Sequence, residues 1–192
     1  MTTVKARQIP WRLIGWGGAA ALLALPFIAM QLKAPGVNWT ASDFVIFAIM
    51  IVLVGVPLEV VIRASGNWRY RTAAALALLS AFLTVWANLA VGIVGSEDSP
   101  GNLGFFAALV AGIMGAFLVR FRAHAMSIVM AGTAIALWAA FAIAVSMPTD
   151  EPFVPHIREF AGTSVFAGLF LASALLFRRA AANRPHPRSQ SD

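Results

Sequence analysis

Six long apolar runs separated by short polar loops constrain this sequence more than any other feature. The runs cover residues 13–32, 43–62, 73–95, 103–119, 125–147 and 160–177. Each is close to the roughly 20 residues that an α-helix needs to cross the hydrocarbon core of a bilayer. We therefore predict an all-α fold: a polytopic transmembrane helical bundle with six spans.

Basic residues collect on one set of alternating loops. Of the fourteen Lys and Arg residues, only Lys33 and Arg158 fall on the other set. The remaining ones are Lys5, Arg7, Arg12, Arg63, Arg69, Arg71, Arg120, Arg122, Arg178, Arg179, Arg184 and Arg188. Lys and Arg accumulate in cytoplasmic loops. The sequence therefore predicts that both termini are cytoplasmic.

The composition argues against a soluble fold. Hydrophobic residues make up 60% of the chain and charged residues 11%, against about 45–50% and about 25% in a typical globular domain. The net charge of +6 lies in short loops beside apolar runs. This placement favours anionic lipid headgroups as the partner, and no nucleic acid. Cysteine is absent, which excludes disulfides and thiolate metal sites.

Both ends of the chain need a separate interpretation. The first run follows three basic residues and resembles a secretory signal peptide. Gln31, Leu32 and Lys33 stand where a cleavage site needs small residues, so we predict that the run is retained as a span. Cleavage would leave five spans and an outside N-terminus. Residues 178–192 are basic and rich in proline and serine, and we predict a disordered cytoplasmic tail.

Local signals predict helix ends and interface anchors. Thr40 and Asp43 have the spacing of a capping box at the start of the second helix. Asn102 is placed to cap the fourth helix. Trp39 and Trp68 lie where each would sit at headgroup level, one on each face of the membrane.

The third run carries a stripe of polar and small residues on one helical face: Ser80, Thr84, Asn88, Gly92 and Gly95. One interpretation makes this stripe a helix-packing face, with Asn88 in an interhelical hydrogen bond. The other makes it part of a substrate or ion path, because a polar group at membrane depth needs a partner or water.

The fourth run offers a matching strip of small residues: Gly104, Ala108, Ala111, Gly112 and Gly115. Small residues let two helix backbones approach closely in a membrane. We therefore expect this strip to pack against the stripe of the third helix, with contact to another helix as the alternative.

Titratable residues inside the spans are scarce. Glu59 lies four residues before Arg63, and an i, i+4 pair in the interfacial zone explains it. A proton relay would need a second titratable group near mid-membrane, and the sequence places none there. The histidines, His124, His156 and His186, lie outside the runs. This placement argues against a haem held by two histidines, and we predict no cofactor.

Acidic residues collect on the predicted outer face. Glu97, Asp98, Asp150 and Glu151 carry the hard oxygen ligands that Ca²⁺ or Mg²⁺ prefer, and His156 would extend the choice to a transition metal. The alternative interpretation is that acids are what remains where Lys and Arg are excluded. We keep these five residues as metal-site candidates.

Two segments resemble a known family. The sequence NWTASDF at 38–44 and the sequence WANLAVGIVGSEDSP at 86–100, with Tyr70 and Arg71 between them, are similar to small multi-span inner-membrane proteins of proteobacteria. The resemblance is clearest from residue 38 to about residue 122. It implies a bacterial inner-membrane location, carries no activity to this chain, and directs attention to residues 88–100.

The sequence leaves three classes of function open. The first is a non-enzymatic accessory or assembly component, whose small-residue faces engage a membrane-protein partner or a second copy of the chain. The second is a small transporter or channel that uses the Ser80, Thr84 and Asn88 stripe, with Glu97 and Asp98 at the outer mouth. The third and weakest is a membrane enzyme with a metal at the outer acidic loops.

Overall fold

The computed structural model describes residues 11–147 and 156–182. Within them it is all-helical, with no strand, which confirms the predicted fold class. Each helix, the fourth taken together with the 3₁₀ turn Pro100–Asn102 before it, is long and apolar enough to cross a membrane. The helices are α1 (Trp11–Gln31), α2 (Ala41–Ala64), α3 (Trp68–Ala90), α4 (Leu103–Leu118), α5 (Ala123–Ser146) and α6 (Ile157–Ala182).

The chain divides into two compact units, Met1–Glu59 and Val60–Asp192. In unit 1, the start of α1 contacts α2 at Gly55 and Glu59. The ring of Trp16 packs so close to Gly55 that an added Cβ would meet it at 3.1 Å. Arg12 lies one turn before Trp16 in α1, and Glu59 lies one turn after Gly55 in α2. Arg12 Nε is 2.6 Å from Glu59 Oε1, and Trp16 Nε1 donates to Glu59 Oε2 at 3.2 Å.

Hydrogen bonds define both helix ends in the link between α1 and α2. Lys33 adopts a left-handed φ of 53° and donates to Met30 O, while Ala34 donates to Ala29 O; this is the Schellman pattern that closes a helix C-terminus. The capping box is confirmed. Thr40 N donates to Asp43 Oδ2 at 2.7 Å, and Asp43 N donates to Thr40 Oγ1 at 3.4 Å.

In unit 2 the helices pack in the order α3, α6, α5, α4. Hydrogen bonds join α3 to α6: Ser80 Oγ donates to Phe166 O at 2.8 Å, and Ser173 Oγ donates to Ala73 O at 2.7 Å. The higher-numbered residue of one helix meets the lower-numbered residue of the other, so the two helices are antiparallel.

The small-residue strip of α4 packs against α5. A Cβ added at Gly112 would lie 2.5 Å from Thr133 Oγ1, and one added at Gly104 would lie 3.2 Å from the Cβ of Ala140. The prediction that this strip packs against the stripe of α3 is therefore wrong. Small residues allow a close approach but do not specify the partner, and here the partner is the following helix.

Unit 2 has two ends that differ in their residues. The loop end carries residues 91–99 and the start of α6, and the opposite end carries the start of α3 and the turn between α4 and α5. At the opposite end Asn67 Oδ1 caps α3 by accepting from Arg69 N and Tyr70 N. The hydroxyl of Tyr70 donates to Phe121 O at 2.8 Å. Arg120 and Phe121 have left-handed φ values of 54° and 55°, so this bond holds a strained turn.

Several predicted boundaries differ from the helices. The third span was placed at 73–95, whereas α3 is Trp68–Ala90. The sixth was placed at 160–177, whereas α6 is Ile157–Ala182. The apolar runs omit charged turns at helix ends, since Arg69, Arg71, Arg178 and Arg179 are helical. The predicted tail beyond residue 182 lies outside the described residues.

Candidate functional site

The polar residues of α3 are buried and bonded. Ser80 and Thr84 are fully buried, and Asn88 is 3% exposed. Ser80 Oγ donates to Phe166 O on α6. Thr84 Oγ1 donates to Ser80 O at 2.8 Å, and Asn88 Nδ2 donates to Thr84 O at 3.0 Å. The three side chains thus form a row of hydrogen bonds along α3, and the bond from Ser80 reaches the neighbouring helix.

Gly92 and Gly95 do not belong to this stripe, which corrects the prediction. Both lie in the loop after α3, with φ values of 73° and 69°. A Cβ on Gly92 would lie 2.4 Å from Ser96 O. No L-amino-acid side chain fits there without moving the backbone. The helix ends where it does because Gly92 turns the chain out of it.

Asn102 holds this loop in place. Its Oδ1 accepts from Ile93 N at 3.2 Å and from Val94 N at 3.0 Å. Its Nδ2 donates to Val94 O at 3.2 Å and to Ser96 O at 2.8 Å. Asn102 occupies the N-cap position of α4, as predicted, but its side chain makes no cap bond there. The buried amide instead satisfies the backbone of the preceding loop.

A carboxylate ties the same loop to α6. Glu159 Oε1 accepts from Gly95 N at 2.9 Å, and Glu159 Oε2 lies 2.6 Å from His156 Nδ1. The side chain of Glu159 is 14% exposed, and that of His156 is 46% exposed. The sequence did not single out Glu159. Its partner Gly95 is 64 residues away, and no local pattern signals such a contact.

The metal-site candidates separate into two groups. Glu97 and Asp98 are exposed in the loop 91–99, and His156 faces Glu159. Asp150 and Glu151 lie outside the described residues. Within residues 11–147 and 156–182, no three His, Asp or Glu side chains group so that they could hold a metal ion.

Two buried oxygens in unit 2 have no hydrogen-bond partner among the described residues: Asn88 Oδ1 and Thr163 Oγ1. Thr163 lies on α6 and is fully buried. The sequence reasoning missed it. The available signal was its spacing, since Thr163 follows Glu159 by four residues and therefore shares its helix face.

Helices of this length and composition, with buried polar contacts between them, define a multi-pass α-helical membrane protein. Comparisons with protein-family models, with curated proteins and with solved structures found no match for the chain.

Proposed function

We propose that this protein is a non-enzymatic accessory or assembly component of the bacterial inner membrane, with both termini in the cytoplasm. The observation that carries the proposal is the engagement of the α3 stripe. Ser80 donates to the backbone of α6, and Thr84 and Asn88 donate to the backbone of their own helix. A residue of a solute path would instead face an open passage.

The charge distribution within unit 2 supports the proposed orientation. Glu97 and Asp98 are exposed at the loop end. Arg120 and Arg122 are exposed at the opposite end, which also carries the arginines in the first turn of α3 and near the end of α6. Because Lys and Arg mark the cytoplasmic side, the opposite end faces the cytoplasm in this proposal. Its arginines then lie at the anionic headgroups of the inner leaflet.

Helix α1 is the proposed contact surface for a membrane-protein partner. Gly17 and Ala21 are both exposed and four residues apart, the small-xxx-small spacing that favours close helix packing in lipid. Within unit 1, no described atom lies within 4 Å of a Cβ added at Gly17. A second membrane helix would find room there for backbone contact.

Native mass spectrometry tests this proposal on the tagged protein, released in mild detergent from its own host's membranes. We expect a second membrane protein, or a second copy of the chain, at fixed stoichiometry. Gly17→Leu should release it. The matched control is Gly132→Leu, since Gly132 on α5 is also exposed with nothing within 4 Å of an added Cβ. A monomer that retains a small molecule would contradict the proposal.

One observation favours transport as the second candidate. Asn88 Oδ1 and Thr163 Oγ1 are buried without a partner, and a passing polar solute would satisfy them. Asn88→Leu separates the two candidates. In an accessory protein the variant should change stability or assembly, whereas in a transporter it should abolish flux in a protein that still assembles.

A further inference from the structure

Arginines from three segments that are distant in the sequence gather at the opposite end of unit 2. The segments are the first turn of α3, the turn between α4 and α5, and the last part of α6. Each segment contributes two arginines: Arg69 and Arg71, Arg120 and Arg122, and Arg178 and Arg179. This end of the unit therefore carries positive charge from three places in the chain.

Contacts between the segments bring these arginines together. The hydroxyl of Tyr70 donates to Phe121 O at 2.8 Å, and the ring of Tyr70 lies 4.9 Å from the ring of Phe177, centroid to centroid. Asn67 Nδ2 donates to Ala180 O at 3.3 Å. Each of the six arginines directly precedes or follows Tyr70, Phe121, Phe177 or Ala180 in the chain, and consecutive Cα atoms are about 3.8 Å apart. The six charges thus surround one set of contacts.

Among the described residues of unit 2, no carboxylate at this end balances the charge. Within residues 60–147 and 156–182 the acids all lie at the loop end, at Glu97, Asp98 and Glu159. Arg71 Nε donates to the carbonyl of Ser65, and the guanidinium of Arg69 lies 5.2 Å from the centroid of the Trp68 ring. Both partners are neutral, so neither contact cancels a charge.

Repulsion and strain act on the same contact. Like charges on adjoining segments repel, and groups that are partly buried are screened less than groups in open water; Arg69 and Arg71 are partly buried. Arg120 and Phe121 have left-handed φ values, which are costly for residues other than glycine. An anion from outside the unit would reduce the repulsion across the bond between Tyr70 and Phe121.

We propose that anionic phospholipid headgroups are a structural partner of this end, and that their phosphates bind the six arginines and stabilise the contacts between the three segments. A guanidinium suits a phosphate because its planar N–H groups form paired bonds with two phosphate oxygens. Lipid is the source because the arginines lie at the ends of helices long and apolar enough to cross a membrane, where anionic headgroups attract basic residues.

This dependence on lipid goes beyond placing arginines near headgroups, because it makes the packing of unit 2 depend on the charge of the bilayer. It requires neither the proposed orientation nor the accessory role. The mass-spectrometric test of the proposed function can therefore fail while the lipid dependence stands, and the reverse also holds.

The melting temperature of the whole protein in lipid nanodiscs tests the proposal. One set of discs contains phosphatidylcholine alone, which has no net charge, and the other an equal mixture with anionic phosphatidylglycerol. We expect the melting temperature, followed by tryptophan fluorescence, to be at least about 4 °C higher in the mixture. Equal melting temperatures would overturn the proposal. An equal rise on adding inorganic phosphate to the phosphatidylcholine discs would also overturn it, because a free counter-ion would then suffice.

Salt tests the electrostatic origin with the wild-type protein. In phosphatidylcholine discs, sodium chloride screens the repulsion between the arginines, so it should raise the melting temperature. In the mixed discs it also weakens the attraction to the headgroups, so the difference between the two lipids should shrink. A difference that salt leaves unchanged would overturn the proposal.

A double variant assigns the effect to this end. Arg120→Gln with Arg122→Gln should melt higher than the wild-type protein in phosphatidylcholine and gain less from phosphatidylglycerol. Lysine at both positions keeps the charge and should keep most of the gain. The matched control is Arg158→Gln, since Arg158 is exposed at the loop end, where the acids lie; it should gain as much as the wild-type protein. A full gain in the double glutamine variant, or an equal loss of gain in the control, would overturn the proposal.

Discussion

The two outer helix pairs of unit 2 are held together by different chemistry. The pair α3–α6 uses hydroxyl groups that donate to backbone carbonyls, at Ser80 and Ser173. The pair α4–α5 uses glycines that let the two helices pack closely, at Gly104 and Gly112. Both solve the same problem, because lipid gives apolar helices no hydrophobic reason to associate. One pair relies on polar bonds and the other on van der Waals packing.

The difference predicts opposite sensitivities. A hydroxyl bond between membrane helices contributes on average about 0.6 kcal/mol and at most about 1.7 kcal/mol, so its loss is tolerated. A close backbone approach has no room for an added atom, and overpacking costs typically about 1–3 kcal/mol. The pair α4–α5 should therefore be the more fragile to single substitutions.

The largest effect is expected where the loop joins the two pairs. Asn102→Leu removes four hydrogen bonds to the loop 91–99 and leaves the amides of Ile93 and Val94 without acceptors. Each unsatisfied buried group costs about 1–3 kcal/mol. We expect the variant to unfold first in thermal melts followed by tryptophan fluorescence. A melting temperature equal to that of the wild-type protein would show that the loop does not help to hold the two helix pairs together.

Gly112→Ala attacks the α4–α5 interface directly. The new Cβ would lie 2.5 Å from Thr133 Oγ1, so we expect a loss of about 1–3 kcal/mol, measured by unfolding in denaturant. Gly168→Ala is the control, because nothing lies within 4 Å of a Cβ added at this exposed position of α6. Equal stability of the two variants would contradict the packing account of this interface.

Ser173→Ala tests the polar interface and should cost less than the glycine substitution. The variant loses a 2.7 Å bond to Ala73 O, and we expect about 0.6–1.7 kcal/mol in the same assay. Ser80→Ala should behave alike. The two losses of stability should add, because the two bonds meet α3 seven residues apart, at Ala73 and Ser80, and share no partner. A loss larger than that of Gly112→Ala would reverse the proposed ranking.

The smallest effect is expected in unit 1. Arg12→Gln removes the pair with Glu59, in which the arginine side chain is 70% exposed. Exposed ion pairs contribute at most about 1 kcal/mol, so the melting temperature should change little and the change should shrink further in high salt. Glu59 also accepts from Trp16 Nε1, so Glu59→Gln serves as a comparison that keeps an acceptor for the ring. A large loss for Arg12→Gln would show that the pair is shielded from solvent.

Local chemistry made part of the fold predictable. Six apolar runs were enough to predict six helices, and the capping box formed by Thr40 and Asp43 follows from residues three apart. The contact of Arg12 with Glu59 was missed, because it joins two helices across 47 residues. Apolar length predicts a helix but leaves its neighbours undetermined.

The errors concern interactions between distant residues. Asn102 is a residue type typical of a helix cap, yet its side-chain amide bonds the backbone of the preceding loop at Ile93, Val94 and Ser96. The glycines of α4 matched the stripe of α3 in the sequence, but packed on α5 instead. Gly92 continued a four-residue spacing while its backbone left the helix. In each case the residue type was informative, and the partner was set by the packing of the whole unit.

The close fit of α4 and α5 also allows the two helices to be cross-linked. A Cβ on Gly104 would lie 3.2 Å from that of Ala140, slightly inside the roughly 3.5–4.5 Å that a disulfide spans, and the natural chain contains no cysteine to compete. Paired cysteines at these two positions would form a reversible disulfide cross-link, made by an oxidant and broken by a reductant. A protein whose function requires α4 to slide along α5 would lose that function when the disulfide forms. A static scaffold would keep its function.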